Sequence, residues 1–237
     1  MTRSIPRTAA NERLLDIYSK LLASYGPQSW WPAQSPFEVM IGAVLVQSTA
    51  WSNVEKAIAN LAAVEALTPE AIRRLETAEL ARLVYPSGYY NAKARKLKAL
   101  VRYLDERYSD DVGAMSRRDT ASLRRELLAV HGIGEETADD ILLYALGHPI
   151  FVVDAYTRRL VVRLGLMHES DASYSACQTL FMDNLKPDAT MFNECHALIV
   201  RHGVEHCRKR PSCEGCALLE MCPAGTAAEA QEVTSSS

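Results

Sequence analysis

Apolar residues recur at helical rather than strand spacing along most of the chain. Leu14, Leu15, Ile17, Tyr18, Leu21 and Leu22 predict a helix over 11–25, and the GPQSWWPAQSP that follows is a loop of turn formers and tryptophans. The same periodicity predicts helices over 37–50, 51–64, 69–75, 78–84, 91–107, 120–129, 135–146, 154–164, 173–184 and 190–204, separated by short Gly, Pro, Ser or Asp breaks. The segment Pro149-Ile150-Phe151-Val152-Val153 is strand-like, but five residues are too few to found a sheet. No repeat of solenoid period is visible, so a globular all-α protein is expected. Residues 223–237 are small and polar and predict a disordered tail.

With 48% hydrophobic residues, 237 residues can bury the core of one large or two small domains. No apolar run reaches the roughly 18 residues of a membrane span, and MTRSIPRTAANERLL has charges with no apolar stretch behind them. Neither a membrane span nor a secretory signal is indicated, and a cytoplasmic location is expected. The net charge of -3 argues against a nucleic-acid partner when taken alone. Basic residues nevertheless gather in Lys93, Arg95, Lys96, Lys98 and Arg102, in Arg158, Arg159 and Arg163, and in Arg208, Lys209 and Arg210. Solvated helix faces and a phosphate-binding surface are both open readings of these runs.

Four of the six cysteines form Cys207-x5-Cys213-x2-Cys216-x5-Cys222. In a reducing compartment four thiols this close suit metal ligation better than two disulfides, and the set fits either zinc or an iron-sulfur cluster. Cys177 and Cys195 lie in helical patterns and read as small core residues.

Two local patterns carry further chemistry. In Leu127-Leu128-Ala129-Val130-His131-Gly132-Ile133-Gly134-Glu135-Glu136-Thr137-Ala138 a helix ends, two glycines make a tight turn and a new helix begins. Amides exposed there, at Gly132 and Gly134, can approach a DNA phosphate without sequence preference. In Phe151-Val152-Val153-Asp154-Ala155-Tyr156-Thr157-Arg158-Arg159 an apolar entry leads to Asp154, placed where a helix N-cap belongs. Capping and catalysis can coexist on one carboxylate.

The turn LLAVHGIGEETADDIL, the segment VVDAYTRR and the cysteine tail, in this order, resemble the helix-hairpin-helix DNA glycosylase superfamily that includes endonuclease III. The resemblance covers about residues 28–222. It implies two helical domains flanking a DNA-binding cleft. One is a six-helix domain over 35–150 with the helix-hairpin-helix at 121–146, and the other joins 1–34 to 151–222. It also implies a 4Fe-4S cluster on Cys207, Cys213, Cys216 and Cys222, a catalytic Asp154, and a monomer that takes double-stranded DNA containing a damaged base. A bacterial or archaeal, nucleoid-associated protein would fit. Trp30-Trp31-Pro32, Gly42-Ala43-Val44-Leu45-Val46-Gln47-Ser48 and Tyr85-Pro86-Ser87-Gly88-Tyr89-Tyr90-Asn91-x-Lys93-Ala94 look like the endonuclease III-like 3-methyladenine DNA glycosylases. That branch excises alkylated purines, and some of its members lack the cluster cysteines.

Two departures matter. Bifunctional members carry a lysine two residues after the second hairpin glycine, where this chain has Glu136, which cannot form a Schiff base. The first cysteine gap is one residue shorter than in the best-known members. Monofunctional hydrolysis of the glycosidic bond is therefore expected. Trp30 and Trp31 are candidates to stack on a flipped cationic purine or to fill the domain junction. Gln47 and Tyr89 correspond to family positions near the space left by the flipped nucleotide, with Tyr89 on the loop wedged into the duplex. Glu136 would raise the proton affinity of Asp154 if the two came close. His196 reads as a packing or hydrogen-bonding residue outside the site. Excision of mismatched or oxidised pyrimidines, or a DNA-binding repair protein without turnover, are the competing readings.

Overall fold

A computed structural model describes residues 7–226 of the chain. The described residues form helices and no strand, in the order α1 (Arg7–Tyr25), α2 (Pro36–Leu45), α3 (Trp51–Ala63), α4 (Pro69–Arg74), α5 (Thr77–Leu83), α6 (Tyr90–Tyr108), α7 (Val112–Ser116), α8 (Thr120–Leu128), α9 (Glu135–Asp140), α10 (Ala155–Arg163), α11 (Tyr174–Asn184) and α12 (Ala189–Glu205). The chain divides into two compact units, Met1–Trp30 with Phe151–Ser237, and Trp31–Ile150. No helix among the described residues is long and apolar enough to cross a membrane.

The second unit is built around α2. Ser35 caps it by accepting from the Glu38 amide at 3.2 Å, Pro36 fits the first turn, and the Glu38 carboxylate reaches back to the Gln34 amide at 3.1 Å. Phe37 to Leu45 are all buried, so this helix runs through the core rather than along its surface. It ends at Leu45, earlier than the predicted 50, because Ser48 takes a left-handed φ of 57° that no helix can continue. The predicted helix over 135–146 is α9 widened into a π-helical turn, Ile141–Ala145. The five-residue α7, capped by Asp111, is too short for periodicity to reveal.

The first unit packs α1 and α10 to α12. Ala10, Leu14, Ile17 and Leu21 form the buried stripe of α1. Gly203 of α12 lies under the Tyr156 ring of α10, where an added Cβ would stand 2.2 Å from a ring carbon. The strand-like stretch ending at Val153 pairs with no strand. Its Phe151 stacks on Phe181 at 3.9 Å between ring centroids, and the Phe151 carbonyl accepts from Gln178 at 2.7 Å, so side chains replace a sheet ladder. Of the tail expected to be disordered, residues 223–226 instead form a helical turn held by bonds from Gly225 and Thr226 to the Cys222 carbonyl, each 3.1 Å, and 227–237 lie outside the described residues.

Candidate active site and cysteine cavity

Asp154 sits at the N-cap of α10 with extended backbone, and its Oδ1 accepts from the Thr157 amide at 2.7 Å. The capping role is therefore real, and it aims the carboxylate at the positive end of a helix. His196 of α12, left outside the site by sequence reasoning, brings its Nε2 to 3.8 Å from Asp154 Oδ1. That is an ion-pair approach, too long for a direct hydrogen bond. Burial pushes the Asp154 carboxyl upward, but His196 and the Thr157 donors outweigh it and hold the group below the usual carboxylate range. Both His196 and Asp154 are mostly buried, with side chains 7% and 14% exposed. No motif around His196 marks this pairing, because it depends on how α12 packs on α10.

In the second unit, Gly132 has a φ of 83°, and a Cβ there would stand 2.3 Å from the Lys96 side chain. Glycine is required at this position on both counts. Gly134 is different: its φ is -94°, and an added Cβ would meet no atom of the chain within 4 Å. The hairpin is braced by a bidentate pair from Arg124 on α8 to the buried Asp139 on α9, at 2.7 and 2.9 Å. Glu136 is exposed in the first turn of α9. Gln47 uses its amide on the hairpin, donating to the Gly132 carbonyl at 3.2 Å and to Thr137 Oγ1 at 2.8 Å while accepting from Lys96.

Trp30 and Trp31, adjacent in sequence, fall in different units. Trp31 meets Trp51 edge-on at 5.0 Å and Tyr144 at 5.3 Å, and its ring lies against Gly42 of α2. This partly exposed aromatic cluster includes Trp51 and Tyr144, which sequence reasoning did not single out. Tyr144 stands on the π-helical turn, which periodicity cannot foresee. Tyr89 is 74% exposed and adopts a left-handed φ of 45°.

The four clustered cysteines line one cavity of about 40 Å³ together with Arg163 and His202. Arg163 Nη1 donates to Cys207 Sγ at 3.2 Å and the Gly225 amide to Cys222 Sγ at 3.4 Å, so two of the four sulfurs accept a hydrogen bond from the chain itself. Among the described residues no three His, Cys, Asp or Glu side chains are grouped for a single ion. Zinc would need four sulfurs about 2.3 Å from one point. Four thiols around one cavity are a donor set that suits either zinc or an iron-sulfur cluster. Cys177 and Cys195 are buried, and burial raises both thiols, Cys195 to about 12, as inert core residues require.

The basic runs are not simple solvated faces. Arg159 donates to the Cys207 carbonyl at 2.6 Å, and Arg163 to the carbonyls of Arg208 and Lys209 at 2.7 and 3.0 Å, so these cations fasten the cysteine loop. Lys93, Lys96 and Lys98 all spend their ammonium groups on internal acceptors.

An all-helical chain with a glycine hairpin, a capping aspartate at the head of a helix and a cysteine-lined loop has the parts of a DNA base-excision enzyme. Residues 41–187 match the family described as HhH-GPD superfamily base excision DNA repair protein, and the chain belongs to that family. It is a DNA glycosylase of base excision repair. A protein of Methanocaldococcus jannaschii, named provisionally as a DNA repair glycosylase, is 44% identical over 212 residues, 89% of this chain and 96% of the relative. The 3-methyladenine DNA glycosylase of H. pylori, solved with 1,N6-ethenoadenine, is similar at a TM-score of 0.69 and 28% identity, over 83% of this chain and 97% of that one. A trapped covalent complex of endonuclease III with DNA shares the fold at a TM-score of 0.79 and 24% identity, over 92% and 98% of the two chains.

Proposed function

We propose that this glycosylase hydrolyses the N-glycosidic bond of alkylated purines such as 3-methyladenine in duplex DNA, leaving an abasic site without cutting the strand. The observation that carries the hydrolytic reading is the setting of Asp154, a mostly buried carboxylate held ionised by its neighbours at the head of α10. As the bond breaks, positive charge grows at the sugar C1′ and is met by this carboxylate. Water attacks C1′, its proton passes to Asp154, and the bonding electrons leave with the purine. An alkylated purine starts out cationic and departs neutral, so a site with one carboxylate and no evident acid is sufficient. Glu136 offers no amine for an imine, which removes the usual route to strand cleavage.

The purine assignment is supported by the aromatic cluster around Trp31, whose electron-rich rings suit a flat cation, and by the name of the H. pylori relative. Trp30 is the second base-pocket candidate. Gly132 and Gly134 present backbone to a DNA phosphate, and the open space at Gly134 supports this use. Tyr89, exposed at the tip of its turn, enters the duplex, and Gln47, held to the hairpin by the chain's own hydrogen bonds, stands near the space left by the flipped nucleotide. Cys207, Cys213, Cys216 and Cys222 would hold a 4Fe-4S cluster, which when bound supplies a covalent clasp for the loop that ends the domain. The protein acts on DNA as a monomer.

Duplexes carrying a single alkylated purine, uracil, thymine glycol or mismatched thymine, analysed with and without alkali, test this reading. Release of the alkylated purine, with breaks only after alkali and lost in Asp154→Asn, is the expected result. Breaks without alkali would overturn the monofunctional assignment, and release of pyrimidines alone would overturn the substrate assignment.

A further inference from the structure

Lys93 is 1% exposed, an unusual place for an ammonium group. Its Nζ donates to the Leu45 carbonyl at 2.9 Å and the Ser87 carbonyl at 2.5 Å. Leu45 ends α2, where the last carbonyls lack helical partners and the helix dipole is negative. Ser87 ends the short turn Tyr85–Ser87. Gln47 follows the first acceptor closely and Tyr89 the second. The Lys93 amide also donates to the Tyr89 carbonyl at 3.0 Å.

Both segments contain a residue with left-handed φ that is not glycine, Ser48 at 57° and Tyr89 at 45°. Such conformations persist only where their surroundings fix them. The largely exposed Tyr89 ring cannot supply that restraint. Lys96, one turn further along α6, holds Gln47 through its side-chain oxygen and lies against Gly132. One face of α6 therefore grips both segments. Burial, with the charge of Lys96 adding to it, lowers Lys93 to about 8.

We propose that Lys93 is a positioning residue for nucleotide extrusion, its ammonium tying the end of α2 to the turn before Tyr89 so that the Gln47 and Tyr89 segments meet the duplex in fixed register. This rests on the glycosylase reading for its effect on DNA, but not for its effect on the free protein.

Lys93→Met keeps the length and apolar stem and removes the donors. Hydrogen–deuterium exchange of the free protein is expected to accelerate by roughly tenfold or more in residues 46–49 and 87–90 together, with the other helices of the unit unchanged. Single-turnover release of an alkylated purine should slow by about tenfold or more from a paired duplex, since small misplacements of remote elements cost that much, yet stay within about twofold when the lesion sits in an unpaired bulge. Lys93→Gln, which keeps two N–H donors, should recover part of both effects and serves in its place if the methionine variant does not fold. Unchanged exchange in the two segments, uniform acceleration across the unit, equal slowing on both substrates, or failure of both variants to fold would each overturn the proposal. If the wild type releases no alkylated purine from either substrate, the substrate reading fails while the exchange result still decides the role of Lys93.

Discussion

His196 Nε2 and Asp154 Oδ1 stand 3.8 Å apart in a mostly buried setting, with the Thr157 amide closing on the same carboxylate oxygen at 2.7 Å. The imidazole and the Thr157 donors together outweigh the desolvation that pushes the carboxyl upward. A carboxyl whose folded pKa is depressed acts as a carboxylate at all pH values above the depressed value, and its contribution is lost only as pH falls through it. Excision rates should therefore stay flat from neutrality into the acid range and fall only where Asp154 takes up its proton, below the usual carboxylate range. In His196→Asn the largest of the lowering influences is removed while burial still raises the carboxyl, so the acid limb should move upward in pH. An unchanged limb in single-turnover profiles would show that His196 does not tune the carboxylate.

Asp154 both caps α10 and carries the proposed chemistry, and the two roles separate by substitution. Asparagine is as good an N-cap as aspartate, so Asp154→Asn should melt like the wild type while excision falls by about 10²- to 10⁴-fold. Asp154→Ala should lose the same activity and, in addition, about 1 kcal/mol of stability in thermal or denaturant unfolding. Equal destabilisation by both variants would mean that the charge, rather than the cap, holds the helix start.

The two hairpin glycines should fail in different ways. Gly132→Ala forces an unfavourable left-handed residue and displaces Lys96, and it should destabilise by more than about 1 kcal/mol. Gly134→Ala meets no atom of its own chain and should change stability by less than about 1 kcal/mol while weakening DNA binding in fluorescence anisotropy. Undiminished DNA binding by Gly134→Ala would remove the argument that its open space serves a phosphate.

Purified protein should contain iron and acid-labile sulfide and absorb visible light through the cysteine loop. Cys213→Ala should lose the absorbance and expose the 207–222 loop to proteolysis while α2 to α9 remain intact. Zinc without sulfide in elemental analysis would replace the cluster with a single ion.

The parts legible in the sequence are those set by neighbours along the chain. Asp154 could be placed as a cap because a single carboxylate beside an apolar entry and a helix start has few other local uses. Gly132 announced a turn, and the short spacing from Cys207 to Cys222 announced four cysteines that line one cavity. Other features depend on residues brought together by packing. Lys93 sits in a basic run that reads equally as a solvated face or a phosphate-binding surface until the carbonyls of Leu45 and Ser87 are seen to enclose it. Tyr144 joins Trp31 only because α9 widens into a π-helical turn. His196 reaches Asp154 only because Gly203 lets α12 close on Tyr156 of α10. Local hydrogen bonds and glycine conformations fixed the turns and caps, whereas burial decided which charged and aromatic side chains became partners, and burial exists only in the packed chain.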